Sequence, residues 1–413
     1  ALFSVGYQAD PLSNTDSDRK LCLKGILLSF GMILLVSVIL YWTTYITFSL
    51  QQDSSRFVPH TSSEEARIRK MIEEINNKNL SWKAEYNPMA GISLKYDAAD
   101  TDMSSLKFDG LDLEDSIRMR LVGDTKVHTR ELDNATMDIP DFFDAREQWS
   151  ECASVHQILN QGGCGSCWAA AAVSMMSDRL CISSNYTKQS MISIEDLLSC
   201  CDFCGGCVGT SSTLFPLLYM QMKGIVTGGG YGSSDGCRPY SIDSKCGAPC
   251  SPAYFNEQKT PTCHRNCQRH YNKTYDEDLI KARSVYWLYT SEDYENDWYS
   301  RYALDALYDS MTTGPEFVKR DILLNGPAVL SMFVSEAFLH YKSGIYSDPG
   351  VATNPNLSYG HCMRLLGWGK NENGEDYWLV ANSWGKKWGD NGYAKISMNT
   401  REWKHFDITA ATF

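Results

Sequence analysis

Gln161-Gly162-Gly163-Cys164-Gly165-Ser166-Cys167-Trp168 runs directly into Ala169-Ala170-Ala171-Ala172-Val173-Ser174-Met175-Met176-Ser177-Asp178-Arg179-Leu180. The second stretch is rich in helix formers and carries apolar side chains at Val173, Met176 and Leu180, which predicts a helix beginning at Cys167. A cysteine at a helix start meets unpaired backbone N–H groups and the positive end of the helix dipole, both of which favour thiolate over thiol. Cys167 is therefore a candidate nucleophile.

Two segments far downstream, Gly360-His361-Cys362 and Asn382-Ser383-Trp384, supply what such a sulfur needs. A protonated His361 would favour the thiolate and then give its proton to a leaving amine. The Asn382 side-chain oxygen would accept from the other ring N–H and fix the imidazole. Gln161 can aim its amide beside the Cys167 backbone N–H at a developing oxyanion. Trp384 would keep water from the His361–Asn382 contact. The set is complete for attack by sulfur on a peptide carbonyl. Two other readings compete: Cys164 and Cys167 as a redox Cys-x-x-Cys, and Cys201-Asp202-Phe203-Cys204-Gly205-Gly206-Cys207 as a zinc site. The first needs a short parallel-sheet domain and the second a reducing compartment, and the chain points away from both. No metal or organic cofactor is required.

These residues resemble the papain family of cysteine proteases, and within it the cathepsin B branch. The likeness runs from about residue 65 to 413. It includes Ile139-Pro140-Asp141-Phe142-Phe143-Asp144-Ala145-Arg146-Glu147-Gln148-Trp149, the doublet Cys200-Cys201, Gly236-Cys237-Arg238-Pro239-Tyr240-Ser241, Tyr341-Lys342-Ser343-Gly344 and Trp378-Leu379-Val380-Ala381-Asn382-Ser383-Trp384. The resemblance implies an α+β papain-like fold of two lobes. A mostly helical lobe would be built on the Cys167 helix, a β-barrel-like lobe would carry His361 and Asn382, and the active-site cleft would lie between them. Strand-like runs at Ala328-Val329-Leu330-Ser331-Met332-Phe333 and Tyr377-Trp378-Leu379-Val380 suit the second lobe. The resemblance further implies protein or peptide substrates, an inhibitory propeptide, cystatin-type inhibitors as partners and work in an acidic endolysosomal compartment.

The chain has fifteen cysteines. Setting aside Cys22, Cys167 and Cys362 leaves twelve, enough for six bridges whose pairing spacing alone cannot assign. The family likeness implies Cys152 with Cys181, Cys164 with Cys207, Cys200 with Cys263, Cys201 with Cys204, Cys237 with Cys267, and Cys246 with Cys250. Cys362 stands where the family has a small apolar residue and reads as a buried unpaired thiol, with regulation by oxidation as the alternative.

A net charge of −12 argues against nucleic-acid binding. Residues 25–50 contain no charged side chain, and as a helix they would extend about 39 Å against a hydrocarbon core of about 30 Å. With Arg19, Lys20 and Lys24 before them, they read as an uncleaved type II anchor, in preference to a long cleaved signal peptide. The expected order is a cytosolic tail (1–22), a signal-anchor helix (23–50), a propeptide or stalk (51–138) and a lumenal peptidase domain (139–413), in a lysosome- or endosome-like compartment or secreted after processing. Sequons at Asn79, Asn134, Asn185, Asn272 and Asn356 suit such a lumenal region. Ile68, Met71, Ile72 and Ile75 fall at helical spacing, and Glu74–Ala84 resembles the start of a cathepsin B propeptide.

Four departures from the family pattern bear on activity. The segment Cys246-Gly247-Ala248-Pro249-Cys250 is short and lacks the paired histidines that hold a substrate's terminal carboxylate in cathepsin B, so endopeptidase action without appreciable carboxydipeptidase activity is expected, Lys245 and Lys259 reading as solvated surface lysines in preference to substitutes for those histidines. Thr210 replaces the second of two glycines, so that only Gly209 leaves room for a substrate backbone. Cys167 and His361 lie 194 positions apart, longer than the roughly 130–150 usual for the family. Much of the excess falls in residues 292–314, whose aromatic and acidic character would suit a partner. Asp407 is the candidate floor of the pocket for the second residue before the cut, implying tolerance of basic side chains there. The alternative function is a catalytically impaired relative that binds protein or matrix.

Overall fold

The computed structural model describes residues 32, 34–42, 59–90, 107–108, 111–112, 120–134, 137–210, 212–290, 307, 314–399 and 406–413. Residues 57–413 form one compact unit, and residues 1–56 are a separate one.

The strands are β1 (Trp82–Ala84), β2 (Lys107–Phe108), β3 (Leu111–Asp112), β4 (Phe143–Asp144), β5 (Ser284–Thr290), β6 (Ala328–Val334), β7 (Tyr341–Tyr346), β8 (Tyr359–Lys370), β9 (Asp376–Ala381), β10 (Tyr393–Ser397) and β11 (Asp407–Thr412). β2 and β3 form a separate pair, and the others join one sheet in the order β1-β7-β10-β9-β8-β6-β11-β5, with β4 also on β8. This corrects the expected barrel. The path ends at β1 and β5 without closing, so the sheet is open. β8 is buried along nearly its whole length, because β9, β6 and β4 all pair with it.

Two main apolar cores follow. One is built largely on the sheet strands and includes Trp368, Trp378, Trp384, Trp388 and Phe338. The other surrounds the predicted helix, Cys167–Ser183, every residue of which from Cys167 to Cys181 is buried. A helix apolar on all sides belongs inside a domain, which is why its alanines sit so densely. Arg364 of β8 ties the two cores together through Asp178 on that helix at 2.9 Å and the carbonyls of Ser154 (2.9 Å) and Gln157 (2.7 Å).

The segment before residue 139 docks on this body. Its helix Ser62–Asn77 starts at a capping box of Thr61 and Glu64 and buries Ile68, Met71, Ile72 and Ile75. Arg67 pairs with the buried Glu336, and β1 extends the sheet antiparallel to β7, seating Trp82 against Tyr346 with ring centroids 4.9 Å apart.

The membrane assignment is also corrected. Among the described residues no helix is long and apolar enough to cross a membrane. A crossing needs about 20 apolar residues, and of 25–50 only 32 and 34–42 are described, as helix. The placement as a type II membrane protein therefore does not stand. Residues 292–306 and 308–313 of the insertion lie outside the described residues.

Candidate active site

Cys167 begins its helix directly after Ser166, whose hydroxyl is hydrogen-bonded to the Tyr240 hydroxyl at 2.9 Å. The preceding loop is pinned by backbone contacts that only glycine permits. Gly162 is left-handed with φ +64°, and a Cβ there would meet Asp243 O at 2.1 Å; a Cβ on Gly165 would meet Cys207 O at 2.4 Å. Gly165 N donates to that same oxygen at 2.8 Å.

β8 and the end of β9 bring the other groups. His361 Nε2 is bonded to Asn382 Oδ1 at 2.7 Å. Trp384 lies against the imidazole, with ring centroids 4.5 Å apart and planes 29° apart. His361, Asn382 and Trp384 are all buried. Nδ1 of His361 has no conventional hydrogen-bond partner and is the nitrogen left for Cys167. The Cys167 thiol lies well below the ordinary range. The hydrogen bond from the Cys362 thiol is the largest cause; burial opposes it, and the His361 imidazole and its charge add to it.

Gln161 sits beside these groups with its Nε2 donating to Cys164 O at 3.0 Å, leaving a second N–H for an oxyanion. Its Oε1 accepts from Ser383 Oγ at 2.7 Å, and its backbone N–H donates to Ser383 O at 2.9 Å. Sequence reasoning missed Ser383 and the Arg364–Asp178 tie. The signal available was a lone arginine within the apolar run Met363-Arg364-Leu365-Leu366 and an Asp-Arg pair within the alanine-rich helix.

Thr210 follows Gly209, whose φ is +117°. Its hydroxyl turns onto its own loop, donating to Ser212 O at 3.1 Å. Asp407 opens β11 and accepts from Thr213 Oγ1 at 2.7 Å. The six disulfides are Cys152–Cys181, Cys164–Cys207, Cys200–Cys263, Cys201–Cys204, Cys237–Cys267 and Cys246–Cys250, the pairing that the family likeness implied. Asn79, Asn185, Asn272 and Asn356 are exposed. Among the described residues no cluster of histidine, cysteine or acidic side chains could hold a metal ion.

A thiol drawn toward its ionised form on one core, with an oriented imidazole delivered by the other, defines a cysteine peptidase. Residues 139–412 match the model of the papain family of cysteine proteases. The chain is 36% identical over 334 residues to cathepsin B-like cysteine proteinase 3 of Caenorhabditis elegans, covering 80% of this chain and 78% of that one. It is 33% identical over 345 residues to a gut-specific cysteine proteinase of the same organism, covering 82% and 89%. Among solved structures it resembles procathepsin B S9 from Trypanosoma congolense at 27% identity and a TM-score of 0.56, over 86% of this chain and 98% of that chain. The chain belongs to the papain family and is a cathepsin B-like cysteine peptidase with the papain-like fold.

Proposed function

We propose that the chain is the zymogen of an endopeptidase, with residues 51–138 as propeptide and 139–413 as the peptidase. Cys167, as thiolate, attacks the scissile carbonyl. The oxyanion is met by the Cys167 backbone N–H and the free N–H of Gln161, while His361, steered by Asn382, protonates the leaving amine. His361 then takes a proton from water, whose attack frees the acyl group from sulfur.

Cleavage within chains rather than at their ends rests on the segment Cys246–Cys250. Ala248 N donates to Met89 O at 2.7 Å, and Asn87 Nδ2 donates to Ala248 O at 2.7 Å. A chain thus passes along this segment on one main-chain hydrogen bond and one from the Asn87 side chain, with no histidine in the segment to hold a terminal carboxylate. A carboxydipeptidase needs a cation there to anchor a chain end.

The test compares internally quenched peptides of one sequence with free and amidated C-termini, using the processed full-length product and its Cys167→Ala variant. Similar kcat/KM for both peptides, lost in the variant, is expected. A strong preference for the free end would overturn the endopeptidase reading.

A further inference from the structure

Ahead of residue 139, a second stretch besides the one that carries β1 is built into the body. Leu121, Thr125, His128, Thr129 and Leu132 are buried, a spacing that sets them on one face of a helical stretch whose α-helix is Val122–Asn134. This helix packs on β5 and on the helix Pro315–Asn325. Its buried face is mostly polar, so hydrophobic spacing does not announce it.

β5 is the end strand of the sheet, paired with β11. On its other side the helix supplies acceptors for the strand's N–H groups. Val285 N donates to Asp124 Oδ2 at 3.1 Å, and Trp287 N donates to Thr125 Oγ1 at 3.3 Å. The same Asp124 oxygen accepts from Gln221 Nε2 at 2.7 Å. His128 stacks on Tyr286 of β5 with ring centroids 3.6 Å apart, and its Nε2 is bonded to the buried Asp321 at 2.8 Å. Leu121 joins the core around the Cys167 helix, and Leu132 joins the core built on the sheet.

Losing the helix would bare the N–H groups of an end strand, a template for pairing with other chains. It would also take partners from buried polar groups, which destabilises the fold. Residues 82–90 are placed differently, along β7 and the segment Cys246–Cys250. Activation requires that segment to leave. It makes no such demand of a helix seated on β5.

We propose that Val122–Asn134 is a permanent part of the active peptidase. Residues 62–90 depart on activation, while the helix stays on β5, as an extension of the peptidase chain or as a bound peptide. This rests on the zymogen reading above and divides its propeptide into a removable inhibitor and a retained brace.

The experiment activates the full-length zymogen in acid and separates the product by size exclusion without denaturant. Its chains are then read by mass spectrometry after denaturation, with labelling by a thiol-directed epoxide followed in parallel. A labelled peptidase carrying residues 122–134 in equal amount, with residues 62–90 gone, is expected. A labelled peptidase lacking residues 122–134 would overturn the proposal. Asp124→Ala and His128→Ala should lower the denaturant midpoint of the zymogen and of the processed enzyme alike. A lowering confined to the zymogen, or seen in neither form, would also overturn it. Absence of labelling at Cys167 would instead overturn the catalytic reading, and labelling with residues 62–90 still bound would overturn the zymogen reading. Because retention is read in the parent, it is decided even where a variant does not fold.

Discussion

Ser383 Oγ donates to Gln161 Oε1 at 2.7 Å, joining the segment that carries Asn382 to the loop that carries Cys167. The bond sets the amide plane of Gln161, so the Nε2 face that would meet the oxyanion is fixed from the opposite core. Removing one oxyanion donor costs about 10²–10³ in kcat, the loss expected for Gln161→Ala. Ser383→Ala retains the donor and loses one neutral hydrogen bond of about 1 kcal/mol, roughly fivefold in kcat with KM nearly unchanged. Steady-state kinetics on one peptide separates the two, and equal losses would contradict a purely orienting role for Ser383.

Thr210 is expected to matter less than its place beside Gly209 suggests. Its hydroxyl is engaged with Ser212 O, so the side chain is committed to its own loop. Thr210→Gly should raise kcat/KM on extended peptides by less than about threefold and lower stability by about 1 kcal/mol, from the lost hydrogen bond and the added freedom of glycine. Chemical denaturation and peptide kinetics measure both. A tenfold gain in kcat/KM would show that Thr210 obstructs the substrate.

The parts of this molecule legible in sequence are those whose chemistry is local. Cys167 at a helix start, the imidazole of His361 and the carboxamide of Asn382 each announce themselves within a few residues, and Ile68, Met71, Ile72 and Ile75 announce the docking helix by spacing. What cannot be read depends on partners far along the chain. Arg364 and Asp178 meet across 186 positions, and Ser383 and Gln161 across 222. Whether the sheet closes depends on strand pairing, not on the alternation within each strand. The apolar run at 25–50 shows the converse error, since hydropathy alone suggests there a membrane-spanning element that no described helix provides.

Acid should loosen the docked segment through His340. Its Nδ1 accepts from Asn87 N at 3.2 Å, which requires the neutral ring, and Tyr86 stacks on it with centroids 6.2 Å apart. Burial pushes His340 down to about 4, with the Glu336 charge opposing and His60 and Arg67 assisting. Released, the ring regains an ordinary value near 6.5. The released state therefore binds the extra proton between about pH 6.5 and 4, and docking weakens as pH falls through that window. The rate of processing of the full chain should rise across it. His340→Gln, which keeps an acceptor but cannot protonate there, should flatten the rise. An unchanged pH profile in that variant would refute the assignment.

Asp321 should hold where His340 yields. It accepts from Arg179, from His128 Nε2 at 2.8 Å, from the Tyr286 hydroxyl at 3.0 Å and from Asn325 Nδ2 at 2.8 Å. Burial alone would raise this carboxyl, but the Arg179 charge and the bonds from His128 and Arg179 outweigh it and hold it well below the carboxylate range. A depressed carboxyl contributes stability that is complete above its unfolded value, near 3.9, and is lost only as pH falls through its lower folded value. The Arg179–Asp321 centre therefore stays charged throughout the window in which His340 takes up its proton, so acid undocks the β1 segment without opening the peptidase core. Asp321→Ala strands the buried Arg179 and should cost about 3–5 kcal/mol, read as a lowered denaturant midpoint at pH 5 and at pH 7 alike. A cost that disappeared at pH 5 would show that Asp321 is already protonated there, and the separation between undocking and unfolding would fail.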